Sequence, residues 1–150
     1  MKTLKWVWKN SYSSIKIFDR SKLIGHIPSF NRKEVGTING KKFFIDYSPI
    51  IFSRPYICDP LDGNKAYCQV YANQGKVTKL TCPAYDYSIH SSGFWPFKRT
   101  IYLMKNETRL IEIEIPGGFF VTSGNINILT EFDYEVALYG MFFYNIPEGD

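Results

Sequence analysis

The segment "RLIEIEI" places Ile111, Ile113 and Ile115 on one side of an extended chain and Glu112 and Glu114 on the other. Side chains of a β-strand point alternately to opposite faces, so this spacing describes a strand with one dry and one wet face. The same period of two recurs along the chain. In "KTLKWVWK" Leu4, Trp6 and Trp8 share one face, and Lys5, Val7 and Lys9 share the other. "SIKIFD", "KLIGHI", "EVGTI", "KKFFIDY", "RPYICD", "KAYCQVYA", "KVTKLTC", "YDYSIH" and "RTIYLMK" read as strands, and "FFVTSGNINIL" adds one or two more. About eleven or twelve short strands at the regular spacing of roughly 8–12 residues predict an all-β sandwich or barrel.

The punctuation between them supports a meander of hairpins. Asn39-Gly40 is the strongest signal, because both central residues of a type I′ turn need positive φ. Asp62-Gly63 is expected to join "RPYICD" to "KAYCQVYA", and "DRSK", "NQG" and "KNET" mark further reversals. With 150 residues and no linker or low-complexity tract, one domain spanning 1–150 is expected. Aromatic residues reach 17%, in keeping with a strand-rich chain.

One stretch breaks the alternation. "EVALYGMFFYN", Glu135 to Asn145, has no wet side, and Glu131, Asp133 and Glu135 stand where acidic residues favour the start of a helix. A helix apolar all round is either membrane-spanning or enclosed by protein. The run is about half of the roughly 20 residues a bilayer crossing requires. A C-terminal helix over about 132–144 is therefore expected inside the strands, with Val136, Leu138, Met141 and Phe142 in the core and Gly140 allowing close approach. A last buried strand is the alternative.

The formal net charge of +4 is only mildly basic and selects no partner, and nucleic acid is not favoured. "MKTLKWVWKN" lacks the apolar core of a signal peptide, which suggests a cytoplasmic chain, with peripheral membrane contact as an added feature. Cys58, Cys68 and Cys82 contain no C-x-x-C pair and read as small buried hydrophobes in a reducing compartment. Cys58 and Cys68 flank "PLDGNK", so a bridge between them across a hairpin is left open. The glycosylation pattern "NET" at Asn106 carries no meaning in that compartment.

No catalytic frame emerges, and neither a metal nor a cofactor is expected. Glu112 and Glu114 read as a solvated strand face, and Asp19, Asp59 and Asp62 as turn formers. His26 and His90 stand apart from metal-ligand spacing. An enzyme using His90 with Asp86 is the weakest reading. The most suggestive stretch is "GFWPFKRT", where Phe94, Trp95 and Phe97 precede Lys98 and Arg99. Rings at headgroup depth beside cations suit an anionic membrane surface. The bland alternative folds those rings back onto the core.

The plan resembles the tubby and LURP-one-related superfamily, which includes the phospholipid scramblases. "SIKIFDRSKLIGHI" and "EVGTINGKKFFIDY" look like that family's opening hairpins, and "LIEIEIPGGFF" with "NINILTEFDYEVALYGMFFYN" like its closing strands and core helix. The resemblance implies a closed antiparallel barrel of about 12 strands around a hydrophobic C-terminal helix. It implies no particular activity, since no Lys/Arg set matches a tubby lipid site and the scramblase cysteine run is absent. The expected function is a non-catalytic binding or scaffold module whose partner is an anionic membrane surface or another protein. The alternative is a calycin-like carrier holding a small apolar ligand inside an open barrel.

Overall fold

The computed structural model describes residues 1–9, 14–28, 35–46, 56–73, 76–83, 86–94, 96–118 and 122–143. Its strands, in chain order, are β1 (Lys2–Lys9), β2 (Ser14–Asp19), β3 (Lys22–Ile27), β4 (Gly36–Ile38), β5 (Lys41–Asp46) and β6 (Tyr56–Asp59). They continue as β7 (Asp62–Asn73), β8 (Lys76–Thr81), β9 (Asp86–Ser92), β10 (Arg99–Lys105), β11 (Thr108–Ile115) and β12 (Ser123–Ile128), and α1 (Glu135–Phe143) follows. Every strand pairs antiparallel with its neighbours in sequence, and β1 pairs with both β2 and β12. The meander therefore closes into a barrel, which removes the exposed edges that invite further pairing.

Alternation decides what lies inside. Ile111, Ile113 and Ile115 are buried, whereas Glu112 and Glu114 lie on the outer face and pair with Arg109 at 3.1 Å and Lys98 at 3.6 Å. Leu4 and Trp6 of β1 are buried on the same rule. The Asn39-Gly40 turn forms as its chemistry dictates, with φ of 52° and 77°. The β6–β7 reversal departs from expectation. It turns at Pro60-Leu61, where Asp59 Oδ1 accepts the Leu61 N–H at 2.9 Å, and Asp59 pairs with Asp62. Proline presets the first turn position and cannot donate to a ladder, so it takes the turn from Asp62-Gly63. The residues after Asp62 form a bulge before Cys58 pairs with Ala66.

An eight-stranded barrel is filled by its own side chains, but a twelve-stranded one needs more, and here α1 supplies it. Ala137, Leu138, Tyr139, Gly140, Met141 and Phe142 are consecutive and all buried, so the helix has no wet face over this stretch. Its neighbours come from around the wall. Phe142 meets Trp6 of β1 edge-on at 6.3 Å, Tyr139 lies on Phe43 of β5 at 5.3 Å, and Gly140 faces Leu80 of β8 and Ile57 of β6. A methyl group at Gly140 would come within 2.9 Å of Leu80, so the helix approaches the wall there as closely as a bare backbone allows. Val136, also expected in the core, is only partly buried because it stands in the first turn at the barrel mouth.

Connections of a meander alternate between its two ends. The turns at 20–21, 39–40, 60–61 and 106–107 share one end with the start of α1. The β9–β10 and β11–β12 connections lie at the other. At the α1 end, Asn39 Nδ2 donates to Tyr134 Oη at 2.7 Å and to Glu135 Oε1 at 3.3 Å, tying the helix start to the β4–β5 turn. Lys2 closes the same rim with Asp19 at 3.1 Å, a bond that holds the ammonium above its ordinary pKa. Among the described residues no helix is long and apolar enough to cross a membrane.

Candidate functional site

The β9–β10 connection carries most of the residues singled out in the sequence. Phe94 and Phe97 are 69% and 65% exposed, and their rings meet edge to face at 5.7 Å. These two rings do not fold back onto the core. The loop is held by a bond from the Phe97 N–H to Phe94 O at 2.9 Å and another from the Gly118 N–H to Pro96 O at 2.7 Å. Gly93 enters it with φ of 82°, and any side chain there would strike the Lys98 carbonyl. Two apolar rings are thus presented to solvent on a fixed support, against the usual cost of exposing them.

Lys98 stands beside the rings with its side chain exposed, and its partner Glu114 lies at 3.6 Å. A pair this exposed contributes about 0–1 kcal/mol. Arg99 begins β10 and is half-buried, opposite Ile115. Trp95 lies outside the described residues.

A second feature went unanticipated. Cys68 and Cys82 form a disulfide, with Cα atoms 4.3 Å apart. The expectation of three unlinked thiols is corrected, and so is the Cys58–Cys68 alternative. On β6 the cross-strand partner of Cys68 is Ile57, so Cys58 is out of step with it and remains buried outside the bond. The cause on the other side is a β-bulge. Asn73 pairs with Lys76 and Ala72 with Val77, but the register shifts by one between Tyr71 and Ala72, so Gln69 meets Thr81. Continuing that register sets Cys68 opposite Cys82. Without the bulge, Cys68 would face Thr81.

The disulfide lines a cleft of about 210 Å³ at the α1 end, together with Lys41, Tyr67, Pro83, Tyr87, Asp133, Val136 and Ala137. Tyr67 packs edge-on against Phe43 at 5.5 Å. Burial first, and then the charge of Asp59 and a hydrogen bond to it, push the Tyr67 phenol above its usual pKa.

The remaining candidates stay apart. His90 lies on the outer face, hydrogen-bonded to Ser88 at 3.0 Å and stacked on Tyr102 at 5.5 Å, while Asp86 pairs with Lys79 at 3.3 Å. His90 and Asp86 are thus two β9 residues engaged with different partners, and no dyad joins them. Asp59 does act as a turn former, and Asp19 flanks a two-residue turn while binding Lys2. No family model, curated protein or solved structure matches this chain.

Proposed function

We propose that this chain is a non-catalytic binding module, a plugged barrel whose 93–99 loop docks peripherally on an anionic lipid surface at the cytoplasmic face of a membrane. The carrying observation is the exposed Phe94–Phe97 pair on a braced loop with Lys98 beside it. Rings inserted at headgroup depth regain the burial they lack in the free protein, and the ammonium meets lipid phosphate. Enclosure of α1 supports this reading over the carrier, because helix side chains occupy the space an interior cargo would need. We propose kinship with the tubby and LURP-one-related superfamily on the same ground, a closed twelve-stranded meander around a hydrophobic C-terminal helix.

Sedimentation with vesicles that contain or lack anionic lipid tests the docking. The full chain is expected to pellet only with the anionic vesicles. Lys98→Ala should weaken binding by roughly fivefold, the worth of one basic residue at about 1 kcal/mol. Phe94→Ala with Phe97→Ala should abolish it. Equal binding to neutral vesicles, or binding indifferent to these substitutions, overturns the proposal and leaves a protein partner as the occupant to seek.

A further inference from the structure

We propose that Cys68 and Cys82 form a peroxide-responsive dithiol, in which Cys82 meets the oxidant and Cys68 resolves it. The inference stands apart from the lipid reading, since the cleft and the 93–99 loop lie at opposite ends of the barrel. Three observations carry it. First, the two residues differ in exposure: Cys68 is 3% exposed within the core, whereas Cys82 follows the end of β8 and is partly exposed. A sensing pair needs this asymmetry, an accessible thiol that is oxidised and an adjacent thiol that completes the disulfide.

Second, both cysteines line the cleft, and its volume of about 210 Å³ admits hydrogen peroxide or a small organic hydroperoxide. Lys41 and Asp133 line the same cleft with opposite charges, a cation of the kind that favours a thiolate and a carboxylate of the kind that opposes it, and Tyr67 and Tyr87 are part of the same lining. Cys58 is buried and does not line the cleft, so the oxidant has no path to it there. Third, the bond is not what holds the two strands together. Main-chain pairing from Gln69–Thr81 to Asn73–Lys76 joins β7 to β8 without it. Given the cytoplasmic placement proposed above, the compartment is reducing, and there a disulfide in such a position is transient and redox-responsive rather than a permanent staple.

The chemistry balances with a hydroperoxide as oxidant. The Cys82 thiolate attacks the terminal oxygen; an S–O bond forms, the O–O bond breaks, and the departing alkoxide or hydroxide takes up one proton. Sulfur is oxidised to the sulfenic acid and the peroxide is reduced to alcohol or water. The Cys68 thiol then attacks that sulfur; the S–S bond forms, the S–O bond breaks, and the hydroxide leaves as water with the Cys68 proton. A dithiol reductant restores both thiols by exchange.

The test uses the full chain, reduced with dithiothreitol, freed of it and exposed to hydrogen peroxide, with alkylation and peptide mass spectrometry as readout. The Cys68–Cys82 disulfide should form while Cys58 keeps its thiol. Cys68→Ser should trap the Cys82 sulfenic acid as a dimedone adduct, and Cys82→Ser should give no adduct at Cys68. Oxidation of the folded wild type should be at least about tenfold faster than that of the same chain unfolded in urea. A folded rate no faster than the unfolded one, or dimedone capture at Cys68 instead of Cys82, overturns the proposal. Should Cys68→Ser fail to fold, the wild-type rate comparison decides alone.

Discussion

Tyr139 reports on the interior more directly than any other side chain. Its phenol is buried, its ring lies tilted at 31° against Phe43, and burial pushes its pKa well above the ordinary 10.0. The folded protein therefore keeps a proton that the unfolded chain loses near that pH. Stability from this group is intact below the unfolded pKa and falls as pH rises through the window above it. Tyr67 acts with the same sign. Urea unfolding at about pH 9 and about pH 11 should show wild type losing stability over this range and Tyr139→Phe losing less of it. Identical alkaline losses in the two proteins would show that the phenol is not enclosed. Single residues were unevenly legible in the sequence. The positive φ at Asn39-Gly40 follows from local turn chemistry, and so was foreseen. The Cys68–Cys82 pairing depends on a one-residue bulge at Tyr71/Ala72, which no local pattern announces.

Among the elements, α1 was recognisable as something enclosed, but its type was ambiguous, because six consecutive buried residues serve a core helix or a core strand equally well. Closure of the sheet resolves it. β1 and β12 pair with each other from Lys2–Ile128 to Val7–Ser123, leaving no vacant edge for a thirteenth strand. The acidic start was legible as well, and Glu135 stands in the first turn. The helix starts later than the expected 132, at Glu135, with Leu138 N bonded to Tyr134 O at 2.8 Å as its opening turn, and Tyr144, the expected last residue, lies outside the described residues. Two phenylalanines make a matched comparison of wall and surface. Phe142→Ala should cost about 3–5 kcal/mol in urea denaturation, as expected for a core aromatic. Phe94→Ala should stay within about 0.5 kcal/mol, because its ring is already in water. Comparable costs at both positions would mean that α1 is not in the core or that the loop is.

For the molecule as a whole, period-two alternation was enough to foresee hairpins folded into a sandwich or a barrel, since two-faced strands must hide one face. Closure was expected only from the family resemblance, and it is what the β1–β12 pairing shows. The division of labour between its ends was only half legible. The aromatic and basic residues of 94–99 are contiguous in sequence and were found there, whereas the cleft assembles Lys41, Tyr67, Cys82 and Asp133 from four separate segments. β10 runs from one end to the other in seven residues, an extended length of about 20 Å, and the two sites lie at opposite ends of the wall. Both proposals take the barrel to be a filled and rigid body, and amide hydrogen exchange measures that directly. If α1 is locked inside the wall, the amides of Leu138 to Phe142 exchange only through global unfolding, with the same free energy and urea dependence as those of Leu4 and Trp6 in β1. Helix amides that exchange through a low-energy opening while the β1–β12 ladder stays protected would contradict the account, since the barrel would then stand without its plug.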